Sequence, residues 1–221
     1  MDITKYDVYK SPNIGVYTKV NDDYIFIPNG MAKTKAEKLA KYLNVEYYHT
    51  TVADTRLLGP LMVLNNNGIL LPGTINQREY DFFKKELKLN VGILDSKITA
   101  LGNLIAINDK AVIVSPMFEK NELEIIKNVL GVEVLQKKIA GYNQTGVMLI
   151  ATAKNGVISM NTNIDDKKEI QDFMKVELVE CTINGGVPYL SSGILANNKS
   201  IVVGSVTSGT EIMTLTGAFM N

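Results

Sequence analysis

Short apolar runs broken by asparagine-rich turns recur along this chain. Two such runs flank an Asn-Asn-Asn-Gly turn in "LLGPLMVLNNNGILLP", from Leu57, and "ALGNLIAINDKAVIVSP", from Ala100, follows the same plan. Anchored on the glycine that opens each strand pair, the pattern recurs at Gly15, Gly59, Gly102, Gly146 and Gly193, with intervals of 44, 43, 44 and 47 residues. A fixed period of this length marks an architecture built from copies of one supersecondary unit.

Each anchor leads through an apolar run into a polar turn, at Asn21, Asn65, Asn108, Lys154 and Asn197. Asn, Asp and Gly tolerate the left-handed backbone of hairpin turns, so these predict antiparallel hairpins. The second run of each hairpin ("YIFIP", "ILLP", "AVIVSP", "VISM", "SIVVG") reaches Pro28, Pro72, Ser115 or Ser159 13 residues after its glycine, and Gly204 after 11 in the fifth copy. Proline ends a strand because it has no amide to give the ladder. Next come segments with apolar residues three and four apart, such as Leu123, Ile126 and Leu130, which predict amphipathic helices capped near Thr34, Asn76, Asn121 and Asp165. A further strand follows each helix: "VEYYHTTV", "LNVGILDS", "VEVLQKKI" and "VELVECTI".

The unit is thus strand, strand, helix, strand, an α/β (α+β) class. The fifth copy lacks its last strand, while "DITKYDVYK" is left over at the other end of the chain. An N-terminal strand completing the fifth unit closes a five-fold pseudosymmetric, propeller-like ring and removes the open sheet edges. The expected organisation is one domain over 1–221, with repeats near 11–54, 55–97, 98–141, 142–184 and 185–221 plus 1–10.

Composition narrows the function classes. The formal net charge is zero, so the chain lacks the long-range field of a dedicated nucleic-acid binder. A single cysteine, Cys181, excludes an internal disulfide, and no run approaches a membrane span or a signal-peptide core. The expectation is a soluble cytoplasmic protein, monomeric because a closed ring has no edge left to pair.

Three stretches, "SKITALGNLIAINDKAVIVSP", "NGGVPYLSSGILANNKSIVVG" and "TTVADTRLLGPLMVLNNNGILLP", resemble the archaeal members of the translation initiation factor 6 family, and the likeness runs from about Ile14 to Phe219. Pro60 and "VISM" depart from the family's usual residues at those places. The resemblance implies a pentein fold. It also implies a factor that binds the large (50S) ribosomal subunit, keeps the small subunit from joining prematurely, and takes part in large-subunit biogenesis. The implied partner is mainly a ribosomal protein on the intersubunit face, with ribosomal RNA nearby, and no cofactor or metal is required.

In a closed ring the turns leading into the anchor glycines share one face. That places Asn13, Arg56, Leu58, Pro60, Asn103, Thr145, Tyr189 and Leu190 as the candidate ribosome-binding residues. Binding function concentrates on loops. The competing class is catalytic: other penteins modify guanidines with a cysteine nucleophile and a histidine, and this chain has one of each, Cys181 and His49. They end strands of units that are not neighbours, which argues against a dyad. "GSVTSGTE" lacks the Gly-Lys-Ser/Thr ending of a phosphate loop and reads as a strand-to-helix connection. Lys33, Lys35, Lys38 and Lys41 read as a solvated helix face, with RNA contact the lesser alternative, and Asp54 and Arg56 as a pair across a turn.

Overall fold

A computed structural model describes residues 2–220. The first complete unit runs through a one-turn helix (Ile14–Tyr17), an inner strand (Lys19–Val20), a middle strand (Tyr24–Pro28), a long helix (Lys33–Leu43) and an outer strand (Glu46–Thr50). The middle strands of the next three units are Gly68–Pro72, Ala111–Val114 and Asn155–Ser159. In every unit the middle strand pairs antiparallel with the inner one and parallel with the outer one. In the fifth unit the outer place beside Ile201–Gly204 is taken by Ile3–Tyr6, in parallel register from Ile3 opposite Ile201. The N-terminal strand therefore completes the last sheet, as the leftover segment predicts.

The apolar runs of the middle strands are continuous because both faces are covered. Ile25 and Ile27 pack with Leu195 and Val202 of the fifth unit, while Phe26 between them points the other way, against Ile69, Leu71 and Phe83 of the second. The other three cores likewise each join two successive units. The core thus lies in the gaps between units rather than within them, and each long helix fills the gap between its own sheet and the preceding one. One-turn helices and inner strands touch their successors all the way round, the fifth unit touching the first.

At the hairpin turns the ring is fastened by side-chain amides. Asn21, Asn65, Asn108 and Asn197 are buried, and each Oδ1 accepts the main-chain N–H groups two and three residues ahead. Each Nδ2 donates to the main chain of the next unit: Asn21 to Asn65 O, Asn65 to Asn108 O, Asn108 to Thr152 O and Asn197 back to Asn21 O. Asn65, Asn108 and Asn197 also reach a carbonyl ending the next unit's long helix, at Leu130, Met174 and Leu43. Truncating Asn197 to Ala strands two buried carbonyls and two turn amides at the joint between fifth and first units. The expected cost is about 2 kcal/mol, read as a lower urea midpoint.

Two sequence expectations need correction. The anchor glycines do not open strands; they are the second residue of the one-turn helices, which the hydrophobic pattern does not reveal because a single turn has no period. In the fifth unit that helix is Leu190–Gly193, so the counterpart of the anchors is Ser191 and not Gly193. With Ser191 as anchor, Gly204 falls 13 residues later, as in the other units. The preceding loop is one residue longer, Ile183 bridging Val187 where the loops before the first, second and fourth units bridge positions three apart, and the shift from Ser191 to Gly193 arises because a serine holds the joint and a glycine follows two residues on.

Helix caps are the second correction. Asn76 caps its helix reciprocally with Glu79, but Thr34, Asn121 and Asp165 sit two residues inside theirs, behind Ala32, Glu119 and Asn163. A turn fixes the entry point: an amide donates back to the carbonyl three residues earlier at or just past each middle strand's end, as Met31 does to Pro28 and Phe118 to Ser115. The cap then falls on the next residue, whatever its type.

Candidate functional site

Because middle and outer strands are parallel, their exits and the one-turn helices lie at one end of the ring, and the hairpin turns at the other. The two ends differ chemically. At the hairpin end Asp22 accepts from the amides of Asn198 and Asn66, and Asp109 from those of Asn66, so the polar groups satisfy one another. At the strand-exit end the loops leave large side chains exposed: Tyr9, Leu57, Tyr142 and Tyr189 before the one-turn helices, and Met117, Met160 and Val206 after the middle strands. Large apolar side chains left exposed on one end are candidates for contact with a partner.

The structure sorts the expected site residues. Asn13, Arg56 and Tyr189 are exposed, Tyr189 by 44 %. Pro60 and Asn103 are part-exposed, each directly after its anchor glycine, and the side chain of Asn103 makes no hydrogen bond among the described residues. Leu58, Thr145 and Leu190 are wholly buried and do not belong to a display surface. They are the first residues of the one-turn helices, whose side chains turn into the core; Thr145 Oγ1 donates to Leu104 O at 2.6 Å. The residue one earlier is the one presented, which brings in Leu57, 44 % exposed, and Gln144. A one-residue shift of the template, from first helical residue to cap, would have found both.

Arg56 does not pair with Asp54. Its guanidinium lies over the ring of Tyr9, 5.8 Å from the centroid, while Asp54 accepts from Asn76 Nδ2 at 3.0 Å. Tyr9 is fixed in turn, its hydroxyl donating to Asn29 O and its ring edge-on to Tyr17 at 5.3 Å. The result is a preformed arginine–tyrosine patch where the first and second units meet, next to Leu57. Tyr9 was missed because it lies six residues before Gly15, further from its anchor than the residues taken from the other loops. The lysines of the first long helix are exposed, Lys33 facing Glu37 at 3.8 Å and Lys38 the ring of Tyr42, as a solvated face.

A carboxylate shapes the loop before Tyr189. Glu211, third residue of the fifth long helix, is buried and accepts from Ser208 N, Gly185 N, Gly186 N and Thr182 Oγ1. Burial alone would push its carboxyl up, but these donors outweigh that and hold it down at about 2. Glu79 anchors the loop before Arg56 in the same geometric way, accepting from Thr51, Ala53 and Asp54. The main chain there is left-handed, with φ of 52° and 57° at Ala53 and Asp54, so successive amides converge on one acceptor.

The thiol and imidazole do not meet in any such arrangement. Cys181 is buried on the fourth unit's outer strand and donates to Thr182 O; burial and then the charge of Glu211, against that hydrogen bond, push it up to about 11. His49 lies on the first unit's outer strand with Nδ1 3.4 Å from Pro28 O and its ring against Tyr47. Among the described residues no group of three or more His, Cys, Asp or Glu converges to hold a metal, and no helix is long and apolar enough to cross a membrane.

Along the ring axis runs a channel with a free volume of about 100 Å³, lined by the inner strands from Gly15, Gly146 and Ser191 at one end to Asn21, Asn65, Asn108 and Asn197 at the other. Lys19 lines it, and burial pulls its amine down to about 8.

Five copies of one strand-strand-helix-strand unit around an axis define the pentein fold. Within that class the chain belongs to the eIF-6 family, whose model matches residues 3–218. The translation initiation factor 6 of Nitrosopumilus maritimus is 57% identical over 221 residues, covering 100% of both chains. That of Cenarchaeum symbiosum is 56% identical over 99% of each chain, and that of Staphylothermus marinus 38% identical over 96% of this chain and 95% of its own. Among solved structures, a mutant DDAH from Pseudomonas aeruginosa complexed with citrulline covers 76% of this chain and 68% of its own, at 11% identity and a TM-score of 0.47. The chain is thus a member of a translation-factor family.

Proposed function

We propose that this chain binds the large ribosomal subunit through the strand-exit end of the ring, keeps the small subunit from joining it, and takes part in large-subunit maturation without a catalytic step. The observation that carries the reading is the chemical asymmetry of the ring. One end is closed upon itself by amide–carboxylate bonds; the other presents Tyr9, Arg56, Leu57, Asn103 and Tyr189, the loops of Arg56 and Tyr189 held from beneath by Glu79 and Glu211. Exposed tyrosine and arginine already fixed in place lose little freedom on binding and are the side chains that dominate protein interfaces. A net charge of zero suits a footprint made mainly on a ribosomal protein, with ribosomal RNA at its margin. The factor acts as a monomer, in the cytoplasm, with no cofactor.

Sucrose-gradient co-sedimentation with purified subunits tests this. The chain should travel with free large subunits and reduce joined particles when added; absence from the large-subunit fraction overturns the reading. Arg56→Glu should weaken that association about 30-fold, by roughly 2 kcal/mol, with little change in melting temperature. Full affinity in that variant removes the first–second unit patch from the contact.

A further inference from the structure

Lys19 breaks the pattern of the channel wall. Four residues after the anchor, the inner strands of the third, fourth and fifth units carry Ala106, Ile150 and Leu195 along the same channel, and that of the second carries Val63, buried in the core. Lys19 makes no ion pair and no side-chain hydrogen bond among the described residues, and burial is the sole influence on its amine. The carboxylates that line the same channel, Asp22 and Asp109, sit at the hairpin end with their oxygens already taken by Asn66 and Asn198. The asparagine amides of the channel are likewise committed, each to a carbonyl of the next unit. The protein therefore gives this half-buried, channel-lining lysine no counter-charge, an arrangement that costs stability unless something else supplies one.

The surroundings also say what that something is. Each inner strand is an edge strand, bonded only to its middle strand, so alternate N–H and C=O groups of its other edge face the axis. The channel's volume of about 100 Å³ is room for roughly three waters, or for one small ion and its hydration. We infer that the central channel binds one small inorganic anion, seated between the Lys19 ammonium and inner-strand edge amides. The volume admits a halide or one tetrahedral oxyanion and rejects a nucleotide. Aspartates at the mouth add to the discrimination against polyanions.

The site stands independently of the ribosome-binding face, and its test uses the free protein. Thermal melts in sodium chloride, bromide or phosphate, at ionic strength held constant with a bulky organic anion, should show a saturable rise of several degrees in the parent chain. Lys19→Met should melt higher than the parent in the bulky salt and show no saturable anion response. Anion responses of equal size in the two proteins overturn the assignment. Bromide-soaked crystals of the parent chain give a reading that does not depend on the variant's folding: an anomalous peak in the channel beside Lys19 supports the site, and a channel without one at saturating bromide overturns it.

Discussion

Gly59→Ala should leave no folded ring under conditions where the parent chain is stable, a loss of at least about 4 kcal/mol. A Cβ at Gly59 would lie 1.7 Å from the carbonyl oxygen of Gly15 and 2.8 Å from its carbon. Both neighbours are backbone, so no rotamer change relieves the overlap. The same approach recurs around the axis: the Cβ positions of Gly102, Gly146 and Gly15 lie 1.9, 2.3 and 1.9 Å from the carbonyl oxygens of Gly59, Gly102 and Ser191. Each of the first four units therefore rests a bare Cα on the previous unit's carbonyl, while the fifth carries Ser191 at that position. In a closed ring one joint cannot widen without moving the others, and the cores lie in the same gaps, so the displacement is resisted everywhere at once. None of these glycines has a positive φ, so space rather than conformation makes glycine necessary. Gly217→Ala is the matched control. It adds the same methyl inside the last long helix with nothing within 4 Å, and should stabilise by about 0.5–1 kcal/mol through helix propensity. Denaturant melts of the two variants decide the matter; a Gly59→Ala midpoint within error of the parent would refute the stacking.

The same glycines show how far the sequence could be read. Their period disclosed the number of units and the order of strands, because middle strands buried on both faces leave continuous apolar runs and the turns carry asparagine. The reason for the period was hidden, since contact between Gly15 and Gly59 is a relation between units that no local pattern expresses. Ser191 was overlooked for a related reason: a residue with a Cβ stands at that joint, and a nearby glycine drew the register two residues away. The loops of the strand-exit end were found from ring symmetry, but symmetry placed Leu58, Thr145 and Leu190 on the surface where the turn geometry turns them inward. Lys19 passed unremarked beside its aliphatic counterparts, because one charged residue in a short strand signals nothing until five strands enclose it.

Glu211→Gln should cost about 3 kcal/mol at neutral pH, and the cost should vanish in acid. Glu211 lies 25 and 26 residues from the loop amides it holds, so its role becomes visible only when the long helix docks. The carboxylate takes four hydrogen bonds from Ser208, Gly185, Thr182 and Gly186, and a Gln side chain offers one acceptor oxygen and turns an N–H₂ toward the rest. The fold lowers this carboxyl from 4.5 to about 2, which means that it favours the ionised form. Its stabilisation is therefore complete above the unfolded value, near pH 4.5, and is lost as the pH falls through about 2. The difference between parent and variant should thus hold at roughly 3 kcal/mol from pH 7 to 4.5 and shrink to under 1 kcal/mol by pH 2. A pH-independent difference would mean that the variant acts through packing and not through charge. The left-handed turn at Asn184, Gly185 and Gly186 leads directly to Tyr189, so loosening it should also reduce large-subunit affinity at neutral pH without altering any exposed residue. Affinity unchanged in a variant already shown to be destabilised would separate the loop's stability from its use in binding. Joint loss of both, fading together toward acid, would tie the display of Tyr189 to the buried carboxylate beneath it.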